Sequence, residues 1–150
     1  MNGYGGTALD TTFGAIKSLK LVNSAIVDLD AVTFSAADTI EHVFLSGNSA
    51  LDNIDQAASA ISPTMGDLFV NSNALLGSLD AVLGDVTSAS YTWFIVNDAL
   101  TSISMPLLTT MTDVRSFSNF DNDYTFFILA CPMLTTISMP SLKTLTSPAE

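Results

Sequence analysis

The chain has 150 residues, 48% of them apolar, and its fifteen acids against four bases give a net charge of −11. That length and apolar share suit a single domain with a real core. The acidic balance argues against a nucleic-acid partner or an anionic membrane surface, because phosphate binding needs basic side chains.

No stretch approaches the roughly 20 apolar residues of a membrane-spanning helix, so membrane insertion is not expected. The start, Met1-Asn-Gly-Tyr-Gly-Gly, lacks the basic and apolar regions of a signal peptide. The chain is therefore expected to be cytoplasmic, a processed form or a fragment, and a last repeat running almost to Glu150 without a cap favours the latter two; Asp-dominated acids, abundant Ser and Thr and scarce Lys favour an extracellular or cell-surface location. One cysteine, Cys131, excludes an internal disulfide framework.

Residues 1–17 precede any regular pattern and read as an N-terminal cap or incomplete coil. From there one motif recurs: Asn or Cys, an aliphatic residue three positions on, and a second aliphatic three after that. It reads Asn23/Ile26/Leu29, Asn48/Leu51/Ile54, Asn73/Leu76/Leu79, Asn97/Leu100/Ile103 and Cys131/Leu134/Ile137. The middle residues step by 25, 25, 24 and 34 positions. A fixed period in the twenties signals stacked coils. Before each Asn or Cys runs a segment of strand-forming residues: Leu19–Val22, Val43–Leu45, Leu68–Val70, Thr92–Ile95 and Phe126–Leu129. The Ala-rich stretches Thr33–Asp38 and Gln56–Ile61 suit helical turns on the return side. Pro106 and Pro140 cannot donate to a ladder and mark corners. The longer last step places a loop insertion at 113–124. The fold expected is therefore mostly β: one right-handed parallel solenoid of about five coils over 1–150, with little helix.

The segment Cys131-Pro-Met-Leu134-Thr-Thr-Ile137-Ser-Met-Pro140-Ser-Leu142-Lys-Thr-Leu145 resembles the BspA-type leucine-rich repeat, which uses Cys or Asn, Leu three later, Ile three after that, then Pro and further aliphatics. The spacing is also similar to that of receptor-L-type repeats. Asn97–Met111 matches equally well; the first three repeats lack the Pro, and residues 1–16 do not match. The resemblance implies a parallel-stranded solenoid with non-enzymatic surface binding or adhesion, and implies no particular ligand.

Stacking would line equivalent residues up in columns about 4.8 Å apart. The first column, Asn23, Asn48, Asn73, Asn97 and Cys131, reads as a structural ladder whose amides bond turning backbone. Cys131 reads there as a small buried hydrophobe. Strand alternation gives the second column. With Leu45, Val70, Phe94 and Ile128 facing inward, Phe44, Phe69, Trp93 and Phe127 face outward beside Lys20, followed by Ile95 and Leu129. A slip of one residue would swap these faces. An outward aromatic row needs a cover: a partner protein or glycan, a second copy, or the chain's own return segments. The third column is acidic, with Asp30, Asp55 and Asp80 continued by Ser104 and Ser138. It raises Ca²⁺ as a candidate cofactor, as do Asp121 and Asp123 in the insertion. The Gly-rich turns of Ca²⁺-binding repeats are missing, so the column reads as a solvated face and no cofactor is expected.

No nucleophile elbow, phosphate-binding loop or His/Cys metal spacing occurs, and a single histidine leaves no ordinary triad. The sequence thus points away from an enzyme. It favours a binding or adhesion module acting through the aromatic face. A self-assembling subunit that stacks into filaments is the alternative, and ice binding through Thr101-Ser102-Ser104 and Thr135-Thr136-Ser138 is a third reading.

Overall fold

The computed structural model describes residues 16–30, 32–35, 38–112 and 125–146. Most of residues 1–17, expected as a cap, and the insertion at 113–124 lie outside them. The protein is mostly β with little helix. Its elements are β1 (Ser18–Val22), β2 (His42–Ser46), a 3-10 helix (Asp55–Ala60), β3 (Thr64–Asn71), α1 (Asp80–Leu83), β4 (Ser88–Ile95), β5 (Ser102–Ser104), β6 (Thr110–Thr112), β7 (Phe126–Leu129), β8 (Thr136–Ser138) and β9 (Thr144–Thr146). The main sheet is parallel throughout. It runs β1-β2-β3-β4, both β6 and β7 pair with β4, and β9 lies beyond β6. A second parallel pair, β5 with β8, is extended by a bridge from Ser78 to Ser102.

Parallel neighbours need a return crossing between them, and the repeat step supplies it. Leu19 lies beside Val43, Val43 beside Leu68, Leu68 beside Thr92 and Thr92 beside Phe126. The return segments carry the helical turns. The one expected at Gln56–Ile61 forms a 3-10 helix at Asp55–Ala60, with Ala57 and Ala60 buried. Residues 33–35 carry no helix, and the short α1, with Val82 and Leu83 buried, had no sequence signal of its own. Pro106 and Pro140 stand in turns between β5 and β6 and between β8 and β9.

Each strand of the main row ends in a residue with left-handed backbone: Asn23 (φ 48), Gly47 (φ 67), Ser72 (φ 55), Val96 (φ 50) and Ala130 (φ 52). These form a column of their own. The N–H of each of the first four donates to the last strand carbonyl of the next repeat: Asn23 to Ser46 (2.8 Å), Gly47 to Asn71, Ser72 to Ile95 and Val96 to Leu129 (each 2.9 Å). Only Gly47 is free of a side-chain penalty there. Glycine is needed twice over at that position, because Asn23 Oδ1 occupies the space a Cβ would fill. Val96 is the misfit, since a β-branched residue strongly avoids positive φ.

The last long step has a specific origin. Ser88 and Ala89 lie beside Thr110 and Met111, while Thr92 to Ile95 lie beside Phe126 to Leu129. β6 and β7 are therefore two parts of one strand line, and residues 113–124 interrupt it between Thr112 and Thr125.

The inner face packs Val43, Leu45, Leu68, Val70 and Phe94 against Leu51, Ile54, Leu76, Leu79, Leu83, Leu100 and Ile103 from the return segments, all buried. Two expectations need correction. The repeat predicts that its third residues, Leu29, Ile54, Leu79, Ile103 and Ile137, form one buried column; the first four are buried, but Ile137 is 52% exposed because no described strand lies beyond β8. Asn23 does not join the other asparagines: it is exposed and sits in the left-handed column. The asparagine of the first repeat comes one residue early, on the left-handed turn itself, so Ser24 takes the ladder position. At the start of the fold Asp38 ties two segments together, accepting the N–H of Ile16 (2.8 Å) and of Ser35 (2.6 Å). These bonds, the Ile16 one foremost, hold its carboxyl below the ordinary aspartate range.

Three outcomes are expected from chemical denaturation. Leu76→Ala should cost about 2–5 kcal/mol, because Leu76 is fully buried, while Ile137→Ala, at the open edge, should cost well under about 2 kcal/mol. Val96→Asn should stabilise the protein by about 1 kcal/mol by relieving the positive φ. Since Asp38 has a lowered folded pKa, its contribution is complete above the ordinary aspartate range and is lost as pH falls through the folded value. The advantage of wild type over Asp38→Asn should therefore shrink on acidification, and an advantage that is constant with pH would contradict the assignment.

Candidate functional site: the aromatic strand face

Register alone places Lys20, Phe44, Phe69, Trp93 and Phe127 in one row across β1, β2, β3, β4 and β7. The neighbours of these residues along each strand are the inward Leu19, Leu21, Val43, Leu45, Leu68, Val70, Thr92 and Phe94. With a side-chain period of two, the row must face the other way. The ring centroids of Phe44 and Phe69 lie 6.5 Å apart, those of Phe69 and Trp93 6.3 Å, and those of Trp93 and Phe127 5.2 Å, all tilted. These are ordinary attractive aromatic spacings. The four rings are half-buried and keep part of their surface accessible.

The row has two flanks on the same face. On one side Val22, Ser46, Asn71, Ile95 and Leu129 are in register. Polar residues give way to apolar ones toward Leu129, which is exposed. On the other side lie Ser18, His42, Asp67 and Tyr91. Tyr91 stacks on Trp93 at 4.6 Å, and His42 Nδ1 is 3.0 Å from Asp67 Oδ2. Gly66 lets the imidazole settle, since a Cβ there would come within 2.6 Å of His42 Cε1. Beside this pair opens a hollow of about 340 Å³ lined by Glu41, His42, Ser62, Thr64, Met65, Gly66 and Ser90. The sequence reading missed Tyr91, His42 and Asp67. The signal was present, two residues before each aromatic of the row, but the strands appeared to start later than they do.

The asparagine ladder holds the turns into which these strands run. Asn48, Asn73 and Asn97 are fully buried. Each amide nitrogen donates to the preceding strand: Asn48 to Leu21 O (2.9 Å), Asn73 to Leu45 O (3.1 Å) and Asn97 to Val70 O (2.9 Å). Each amide oxygen accepts from the preceding repeat. Asn48 Oδ1 takes Ser24 N and Oγ, Asn73 Oδ1 takes Asn48 N and Nδ2, and Asn97 Oδ1 takes Asn73 N and Nδ2. Cys131 follows the same geometry with weaker chemistry, its Sγ lying 3.9 Å from Phe94 O and 3.6 Å from Leu129 O. It is half-buried.

The acidic column is built from local turns. The N–H of Asp30 donates to Asp28 Oδ1, that of Asp55 to Asn53 Oδ1 and that of Asp80 to Ser78 Oγ. Asp80 is further committed to the next repeat, accepting from Ser102 Oγ (2.7 Å) and Ser104 N (2.9 Å). Asp121 and Asp123 lie outside the described residues. Among those described, no three His, Cys, Asp or Glu side chains gather as a metal would require. The Thr rows are likewise engaged with backbone: Thr101 Oγ1 donates to Gly77 O and Thr135 Oγ1 to Thr101 O. The aromatic face, by contrast, sets several partly accessible rings side by side.

Comparisons with family models, curated proteins and solved structures found no match.

The ladder gives a direct test. Asn73→Ala removes the partner of Asn48 N and of Leu45 O and should destabilise by about 1–3 kcal/mol. Asn23→Gly removes no ladder bond and keeps the left-handed turn unstrained, so it should cost clearly less, read as the shift in urea midpoint.

Proposed function

We propose that this protein is a non-enzymatic binding module that engages a protein or glycan through its aromatic strand face. The row Phe44, Phe69, Trp93 and Phe127 carries the reading. It places four partly accessible rings side by side on a rigid parallel sheet, with Tyr91 widening the platform at Trp93. Apolar surface left in water forgoes roughly 25 cal/mol per Å² that burial would recover. A continuous row of rings is therefore a liability that a partner turns into affinity. The flat faces suit stacking on a sugar ring or an aromatic side chain, and the rim of Lys20, Ser46, Asn71 and the His42–Asp67 pair supplies directional bonds around them.

The same reading takes the chain as a right-handed solenoid of leucine-rich-repeat type. Its support is the uniform parallel pairing, the recurring step, the column of left-handed turns and the continuous amide ladder, together with the resemblance of Asn97–Met111 and Cys131–Leu145 to BspA-type repeats. Repeat stacks present extended faces in place of clefts, which favours contact over catalysis and calls for no cofactor. The acidic, Lys-poor composition supports display outside the cell, and no helix among the described residues is long and apolar enough to cross a membrane.

The test is capture of labelled protein on arrays of immobilised glycans and of extracellular-matrix proteins, comparing wild type with Trp93→Ser and Phe44→Ser. Trp is the best single anchor. Loss of capture by about tenfold or more, with little change in denaturation midpoint, is the expected outcome. Capture that survives both substitutions would sink the proposal. So would variants whose only defect is a large loss of stability.

A further inference from the structure

Beside the aromatic row the sheet opens, and strand register shows why. Ile40 bridges to Ile61, and His42 pairs with Asp67. Between those two contacts one segment holds a single residue, Glu41, and the other holds five, 62–66. The surplus pairs with the next strand instead: Thr64 and Met65 lie beside Ser88 and Ala89, and Asp67 beside Tyr91. β3 and β4 thus extend past the start of β2, and the hollow of about 340 Å³ lies at that step. Its volume is at the small end of ligand pockets, the scale of one sugar residue.

The side chains around it have defined hydrogen-bonding roles. The His42 side chain is 40% exposed and that of Asp67 16%. A carboxylate only accepts, so His42 Nδ1, 3.0 Å from Asp67 Oδ2, carries the proton, and the neutral imidazole offers Nε2 as an acceptor. Glu41 adds carboxylate oxygens, one of them 3.1 Å from Lys17 Nζ. Ser62, Thr64 and Ser90 add hydroxyls that both donate and accept. Ser62 is only 7% exposed, and its Oγ accepts the N–H of Thr64 (3.1 Å), which leaves its own proton to give. Met65, 2% exposed, supplies the apolar part of the lining. These groups select against charge. The described lining holds no lysine or arginine, and with Glu41 in it and Asp67 behind His42 a phosphate, sulfate or uronate is repelled. Each carboxylate already has an N–H partner, so neither calls for an ammonium. What fits is an uncharged group that donates to His42 and Glu41, exchanges bonds with the hydroxyls and lays C–H surface on Met65.

We infer that the hollow is a subsite for one uncharged hexopyranose residue of the glycan that the aromatic row engages. Hollow and row share a face, since His42 and Phe44, Asp67 and Phe69, and Tyr91 and Trp93 are each two residues apart on one strand. The inference rests on the aromatic-face reading and narrows its ligand from a protein or glycan to a neutral glycan. The rings supply contact area along the glycan, and the few polar groups of the hollow decide which sugar residue is accepted.

Two measurements on the 150-residue chain test it. Chemical-shift titration with the methyl glycosides of glucose, galactose and mannose, to about 50 mM, reads the hollow alone. At least one of them should shift the amides of Glu41, His42, Gly66 and Ser90. Ser90→Val, which fills the hollow and suits a strand, should abolish those shifts. Capture on glycan arrays reads hollow and row together. Neutral glycans should be captured, and sulfated and uronic-acid glycans should not. Ser90→Val and His42→Ala should each weaken capture by about tenfold, with denaturation midpoints near that of wild type. Unmoved amides at the hollow with all three glycosides overturn the inference. Capture lost in Trp93→Ser but unchanged in both hollow variants overturns it and leaves the aromatic-face reading standing. Preference for sulfated, uronic-acid or amino-sugar glycans, or capture by proteins alone, overturns it too. Hollow shifts abolished by Ser90→Val, together with array capture indifferent to Trp93→Ser, support the subsite and overturn the aromatic-face reading instead.

Discussion

Everything in this structure hangs on how the chain leaves a parallel strand. Each of β1, β2, β3, β4 and β7 ends by turning inward through a residue of positive φ, and the turn buries backbone groups that neither the sheet nor water can satisfy. The amides of Asn48, Asn73 and Asn97 satisfy them. One side-chain nitrogen binds the preceding strand, and one side-chain oxygen receives the preceding repeat's donors. A short side chain with a donor and an acceptor on one carbon is what the site requires. Hydroxyl or thiol groups meet only part of that demand, and they stand at the two ends of the ladder, as Ser24 and Cys131.

Because the ladder fixes where each strand ends, it also fixes what each strand presents. Val70 is inward and Phe69 outward because both are counted from the same turn. The aromatic row follows from that count and not from attraction between rings, which contributes only about 0.5–1.5 kcal/mol per pair. The inward residues secure it in turn. Burial of Leu45, Val70 and Phe94 makes a one-residue slip prohibitive, since the slip would exchange core for surface along the whole strand.

The sequence was legible wherever one period dominated. The five strands before the Asn/Cys positions, the inward aliphatics, the aromatic row and the place of the interruption could all be read from spacing. Three features could not. Asn23 looks like its counterparts, but it stands one residue early, on the left-handed turn itself, and only register shows that Ser24 holds the ladder position. Ile137 has the same local pattern as Ile103, and a repeat's own sequence does not show whether a further strand covers it. Tyr91, His42 and Asp67 lay in strand extensions rich in Gly, Ser and Asp, which have no β propensity of their own and become strand only because neighbouring strands pair with them.

The interruption between Thr112 and Thr125 splits a strand without moving its two parts out of line. β6 and β9 on one side of it, and β5 and β8 elsewhere in the repeat, all keep one common 34-residue offset between partners, as in Thr110 with Thr144 and Ser102 with Thr136. The pairing on each side of the break keeps phase by itself, so the length of chain between them is not set by the lattice of the sheet. Guest sequence could be lengthened or exchanged at this point while the faces on both sides stay aligned, which makes mid-strand, and not a corner turn, the natural grafting site of this scaffold.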